Sequence, residues 1–153
     1  NTGIALVGNT GSATRLNYTV TGDTTNIAAR LEGANKIYGT RLMIGEETAR
    51  ALGAKFVLRR LDRLVVKGKS RPVKVYEVIG KAGDVPETRR VRIRAYHAAM
   101  ALYYRRRFAL AREAFSRLME EDVVAEVFAD RCGRFEKAPP PATWDHSFEL
   151  DSK

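Results

Sequence analysis

The sequence predicts an α+β fold followed by a run of helices, and three observations lead there. Eleven of the 12 glycines lie at or before Gly83, and only Gly133 follows. Residues 1–80 alternate short β-rich runs with turn signals around one clear helix. From Arg89 onward, apolar residues recur at spacings of three and four, the period of an amphipathic helix. Strands and a helix mixed without regular β-α alternation indicate an α+β layer rather than a parallel sheet.

Taken in order, Ile4–Val7 is predicted as a strand closed by the turn Gly8-Asn9-Thr10-Gly11-Ser12. Leu16–Val20 is a second strand ending at Thr21-Gly22-Asp23. Thr24–Lys36 reads as a helix with Ile27, Ala28, Leu31 and Ala34 on its apolar side, Asp23 or Thr24 as N-cap, and Gly39 as the break. Leu42–Ile44 is a short strand and Glu46–Leu52 a short helix. Phe56–Val66 and Val73–Val78 are strands joined by the turn Lys67-Gly68-Lys69-Ser70. Ala82–Thr88 is expected to be a linker. Val91–Tyr104, Phe108–Glu120 and Val123–Phe135 are the predicted amphipathic helices. The run Ala138-Pro-Pro-Pro-Ala142 forbids helix and sheet pairing, which predicts an extended arm ending at Trp144 and Phe148.

Composition narrows the class. The chain has 153 residues, 44% apolar and 29% charged, enough to bury a real core and too apolar for wholesale disorder. The single cysteine, Cys132, excludes an internal disulfide framework and a Cys-based zinc cluster. No apolar run approaches the ~18 residues of a membrane span, and no signal segment opens the chain. A cytoplasmic protein is expected, with the parent chain open to membrane anchoring elsewhere. The chain starts without Met in what reads as mid-strand, so a piece of a longer protein is expected.

The net charge of +9 divides into +6 over residues 1–88 and +3 over residues 89–153. The densest basic runs are Arg89-Arg90-Val-Arg92-Ile-Arg94 and Arg105-Arg106-Arg107. Such runs attract polyanions or form a solvated helix face, and the solvated face is the commoner outcome. Aromatic interleaving of the single-strand-binding kind is missing, so no nucleic-acid partner is expected.

Gly3-xxxx-Gly8-Asn9-Thr10 imitates a phosphate-binding loop, but Asn9 stands where the phosphate-reaching lysine belongs. His97 and His146 lack a second ligand at metal spacing, so no metal-binding residue is assigned. The informative block is Asn17-Tyr-Thr-Val-Thr-Gly-Asp-Thr-Thr-Asn-Ile-Ala-Ala-Arg-Leu-Glu32. Asn26 and Arg30 are four apart and share a helix face just after a Gly-Asp turn. An amide beside a guanidinium suits a polar anionic ligand, since Arg offers a planar fork of donors to phosphate. The alternative is a surface helix whose Arg30 pairs with a neighbouring carboxylate.

Three ordered blocks resemble the C-terminal half of the class III adenylate/guanylate cyclase catalytic domain. They are Asn-Thr-Gly-Ile-Ala-Leu-Val-Gly-Asn-Thr-Gly-Ser at the start, Tyr-Thr-Val-Thr-Gly-Asp-Thr-Thr-Asn-Ile-Ala-Ala-Arg-Leu-Glu in the middle, and Val-Lys-Gly-Lys-Ser-Arg-Pro-Val-Lys-Val-Tyr-Glu-Val at the end. The resemblance implies a ferredoxin-like α+β domain that dimerises, with ATP at the subunit interface and cyclic AMP and pyrophosphate as products. It implies two divalent ions, Mg or Mn, held by two aspartates upstream of Asn1. By position it makes Asn26 the ribose-positioning residue, Arg30 the transition-state arginine, Lys67 the triphosphate contact and Thr19 the base-selecting residue, with ATP favoured over GTP. Asp23 is given a structural task, capping the helix that bears Asn26 and Arg30. With neither metal-binding aspartate present, the isolated chain is expected to be inactive.

The expected organisation is therefore a half catalytic domain over 1–81, a linker over 82–88, a helical region over 89–137 and a Pro-rich tail over 138–153. Residues 94–122 resemble a degenerate tetratricopeptide unit. Ala99, Leu102, Ala111, Phe115 and Leu118 fall near that repeat's apolar positions. One such hairpin cannot close its own core, so it is expected to stack on the first domain or on a protein partner, with Trp144 and Phe148 as anchors. The competing functional expectation is a catalytically silent cyclase-like module that works through this tail.

Overall fold

The structure, a computed structural model, describes residues 1–12, 15–65 and 72–149. Strands β1 (Leu6–Ser12) and β2 (Arg15–Thr21) form an antiparallel hairpin. The segment 8–12, expected to turn, is strand instead: Gly8 pairs with Thr19 and Thr10 with Asn17. Cross-strand pairing overrides the weak strand preference of Gly and Asn. The register sets Val7, Leu16, Tyr18 and Val20 on one face, all exposed. Two strands alone cannot bury such a face.

Helix α1 (Asp23–Tyr38) follows directly, with Gly22 as N-cap at φ 134° and no side-chain capping bond. This corrects the assignment of Asp23 as the cap. Asp23 is instead the first helical residue, where its carboxylate complements the helix dipole. Leu31, Ala34 and Tyr38 are buried, and Ile27 packs against the same core. Gly39 ends the helix at φ 61°, and a Cβ there would meet Val123 Cγ1 at 2.7 Å. Conformation and close approach both require glycine at this position.

Strand β3 (Met43–Gly45), helix α2 (Glu46–Leu52) and a 3-10 turn over Gly53–Lys55 lead to β4 (Phe56–Val65). Strand β5 (Val73–Lys81) pairs antiparallel with both β3 and β4. A bulge in β4 between Arg60 and Asp62 slips the register by one residue. Leu61 and Asp62, neighbours in sequence, are consequently both buried.

Three helices follow, α3 (Glu87–Tyr104), α4 (Phe108–Ser116) and α5 (Val123–Lys137). The predicted helix 108–120 stops at Ser116 and is continued by a 3-10 turn over Met119–Glu121. Asp122 caps α5, accepting from Val124 N–H at 3.1 Å. Most of the basic runs are used within the chain. Arg90 donates to Val85 O and Ala82 O, Arg92 pairs with Glu121, and Arg94 pairs with Glu87 at 2.6 Å. Arg106, at the α3–α4 turn, donates to the carbonyls of Pro140 and Pro141.

The Pro-rich arm does not stay clear of the sheet as expected. Beyond the prolines, β6 (Phe148–Glu149) pairs parallel with Leu64 and Val65, giving a four-stranded sheet of order β3-β5-β4-β6. Pro carries no N–H, but that restriction ends with the prolines themselves. Trp144 and Phe148 are half-buried inside the chain rather than exposed for a partner. The Trp144 indole N–H donates to Ser147 O at 2.9 Å, and its ring lies 5.1 Å from Phe135 and 5.6 Å from Tyr103.

One core runs through both regions. Leu31, Tyr38, Leu61 and Val75 from the first part join Tyr96, Tyr103, Phe115 and Phe128 from the helices. Among the described residues, no helix is long and apolar enough to cross a membrane.

Candidate active site

Strand β2 runs through Gly22 into α1, so Thr19, Asn26 and Arg30 lie on two adjoining elements. Thr19 is half-buried and sits directly opposite Gly8. Residues opposite one another share a sheet face. A Cβ added to Gly8 would have nothing within 4 Å, so the surface beside Thr19 is open.

Asn26 is exposed in the first turns of α1, its N–H bonded to Gly22 O at 3.1 Å. Arg30 stands one turn further on, half-buried. Both flank the buried stripe of Ile27, Leu31, Ala34 and Tyr38, which fixes the helix and leaves that flank to solvent. Neither the Asn26 amide nor the Arg30 guanidinium has a hydrogen-bond or ion-pair partner among the described residues. The carboxylate-paired alternative for Arg30 therefore has no counterpart there. Lys67 falls in the segment 66–71, outside the described residues.

Around the start of α1, a cavity of about 320 Å³ is lined by Asn1, Asp23, Thr24, Ile27, Glu46 and Lys74, among others. None of Thr19, Asn26 and Arg30 lines it. Its carboxylate Glu46 accepts from Lys74 Nζ at 2.9 Å and pairs with Arg50 at 3.1 Å. The Lys74 hydrogen bond holds the Glu46 carboxyl below its ordinary range.

Among the described residues, no carboxylates converge into a site for a pair of divalent ions. No group of three or more His, Cys, Asp or Glu among the described residues could hold a metal. Asp62 is fully buried and already accepts from Arg131 Nη1 at 2.5 Å and from the Tyr38 hydroxyl at 2.6 Å. No metal-dependent step is assigned to this chain's side chains.

That Asp62 cluster was not foreseen. Arg131, from α5, also donates to the Tyr38 oxygen at 3.2 Å and stacks between Phe128 and Phe148 at 4.7 and 3.7 Å. Burial opposes the Arg131 charge, but the Asp62 carboxylate holds its pKa above the ordinary arginine value. Burial, with Asp62 beside it, also pushes the Tyr38 hydroxyl well above its usual range, so it remains a donor. A second bridge joins β4, β5 and the start of α5: Arg59 pairs with Glu77 at 2.6 Å and with Asp122.

The chain is 33% identical over 139 residues to the terminal-differentiation-specific adenylate cyclase of Dictyostelium discoideum, covering 86% of this chain and 6% of that protein. It is 41% identical over 87 residues to adenylate cyclase 1 of Rhizobium meliloti (57% of this chain, 13% of the relative). It is 40% identical over 79 residues to the adenylate cyclase of Anabaena cylindrica (50% and 16%). The chain is similar to adenylate cyclases. It spans only a small part of each of these relatives, at most 16% of the length. No family model matches it. Among solved structures, the adenylyl cyclase CyaB from P. aeruginosa aligns with 54% of this chain and 41% of its own, at 34% identity and a TM-score of 0.44. Together the sequence similarities support a cyclase-like domain of mixed α and β structure.

Proposed function

We propose that this chain forms part of an adenylate cyclase that converts ATP to cyclic AMP and pyrophosphate, and that it contributes the nucleotide-reading side of the site. On this reading residues 1–81 are the C-terminal half of a ferredoxin-like catalytic domain that dimerises, and residues 89–137 are a tetratricopeptide-like tail. Asn26 orients the ribose so that its 3′-hydroxyl faces the α-phosphate. Arg30 meets the negative charge that grows on the transferred phosphoryl group, a task for a side chain that stays protonated and donates several hydrogen bonds. Thr19 offers its hydroxyl to the adenine edge across the open surface beside Gly8, and Lys67 binds the triphosphate. The Mg or Mn ions of the reaction are held by carboxylates other than these residues, so the chain alone is inactive.

The observation that carries the reading is the Asn26–Arg30 flank of α1. A half-buried arginine with no counter-ion among the described residues, one turn from an unpartnered amide, suits an anionic ligand and has no structural employment. The similarity of this stretch to adenylate cyclases supports the choice of ligand. In the full-length protein, Arg30→Ala is expected to lower cyclic AMP formation by about 100-fold or more, as loss of one transition-state donor does, with an unchanged thermal midpoint. Turnover at the wild-type rate would overturn the assignment of Arg30, whereas a wild-type protein that forms no cyclic AMP would favour the catalytically silent module.

A further inference from the structure

Helix α1 has two ends with different neighbours. Its N-terminal turns carry Asn26 and Arg30, while its C-terminal end is clasped by α5 at three points. The Tyr38 hydroxyl lies in the buried cluster with Asp62 and Arg131. Its ring lies 6.4 Å from Phe128. Gly39 approaches Val123 too closely for any side chain. Arg131 and Asp62 are 1% and 0% exposed, and a second hydroxyl, that of Tyr103, stands 3.5 Å from Arg131 Nη1.

Stability alone does not call for this chemistry. A well-packed apolar pair of similar volume is often as stable as a buried ion pair. What the charged set adds is direction, because a planar guanidinium, a carboxylate and a phenol lock three elements in a single mutual orientation. Those elements are α1, β4 and α5. From Tyr38 to Arg30 is eight residues, about 12 Å along one unbroken helix, whose buried Leu31 and Ala34 hold the stretch between them against the core.

We propose that Arg131 is a positioning residue: from the helical tail, through Asp62 and Tyr38, it sets the orientation of α1 and with it the placement of Asn26 and Arg30. The inference rests on the cyclase reading for its catalytic consequence. The tail is on this account part of the site's geometry, and anything that shifts α5 is felt at Arg30.

The test uses the full-length protein with ATP as substrate. The apolar pair D62L/R131M removes the charges without leaving one of them buried alone, and Tyr38→Phe removes one hydroxyl with the ion pair kept. We expect the pair variant to fold and to lose about tenfold in kcat with KM for ATP within about twofold, the signature of a misplaced reacting group. In an Asn26→Ala/Arg30→Ala background the same pair is expected to cost nothing further, because Arg131 acts through those two residues. Hydrogen exchange supplies a readout independent of activity. Amides of residues 24–31 should exchange faster in both variants. A folded pair variant with wild-type kcat, or one that loses a further tenfold when Asn26 and Arg30 are both already replaced, would overturn the proposal. So would unchanged exchange over 24–31 in Tyr38→Phe, even if the pair variant does not fold. If Arg30→Ala itself leaves turnover intact while exchange over 24–31 quickens, the assignment of Arg30 fails and the mechanical coupling stands.

Discussion

His97 makes the fold sensitive to acid. It is half-buried on α3, and its Nε2 accepts the Arg60 N–H at 3.2 Å, so that nitrogen must be unprotonated. Burial, with Arg59 and Arg60 close by, lowers its pKa below the ordinary 6.5. His146 is lowered in the same direction, by burial and then by Arg63. The unfolded chain therefore takes up these protons first. Stability is complete above pH 6.5 and falls as the pH drops below it towards the folded values. Thermal midpoints measured down from neutral pH should decline, and more shallowly in His97→Gln; an identical decline would remove His97 as a cause. Asn26 and Arg30 stand out in the sequence by their types and four-residue spacing, whereas Thr19 is singled out only by the resemblance. Arg131 and Asp62 do not stand out. They stand 69 positions apart in ordinary charged surroundings, and no local pattern marks a charge that will be buried.

Helix α5 hangs on its first residue outside the helix. Asp122 caps it through Val124 N–H and also pairs with the mostly buried Arg59. The two contributions are separable. Asp122→Asn keeps a capping oxygen and removes the charge, while Asp122→Ala removes both, and a lost cap costs about 1 kcal/mol. Denaturant unfolding should rank wild type above Asn and Asn above Ala, and equal stability of Asn and Ala would show that the cap contributes nothing. Among elements, α2 was read to the residue and β4 begins at Phe56 as expected, its expected last residue Val66 lying outside the described residues, because apolar periodicity and flanking glycines punctuate them. The stretch Gly8–Ser12 was misread for the converse reason: its turn-like composition belongs to itself, and its strand state comes from pairing with Arg15–Thr19. Helix α1 begins at Asp23, one residue before the expected Thr24, with Gly22 at φ 134° in the N-cap position.

Across the whole molecule, the α+β character and the later helices were readable, and stacking of the helices on the first domain was one of two expectations, but the residues that dock them were not. Leu61 and Asp62 are both buried only because of the bulge in β4, and a strict two-residue alternation hides one of them. The C-terminal arm belongs to the same class of surprise. Deleting residues 138–153 would uncover the β4 edge at Leu64–Val65 and empty the aromatic sites of Trp144 and Phe148. Fully buried aromatic side chains contribute about 2–3 kcal/mol each, and these are partly buried, so a loss of a few kcal/mol is expected. Unpaired edges also invite self-association. Unfolding curves and sedimentation of the shortened chain should show both effects, and an equally stable, monodisperse product would mean that the arm merely rests on the sheet.

The arm also carries its own signal. Trp144 is the chain's single tryptophan, its ring is 4.7 Å from His146, and its N–H is tied to Ser147 O. Tryptophan emission, excited apart from the six tyrosines, therefore comes from one known place, against α3, α4 and α5. A red shift on adding nucleotide, denaturant or acid would report the undocking of the arm by name, with no label attached and no residue changed.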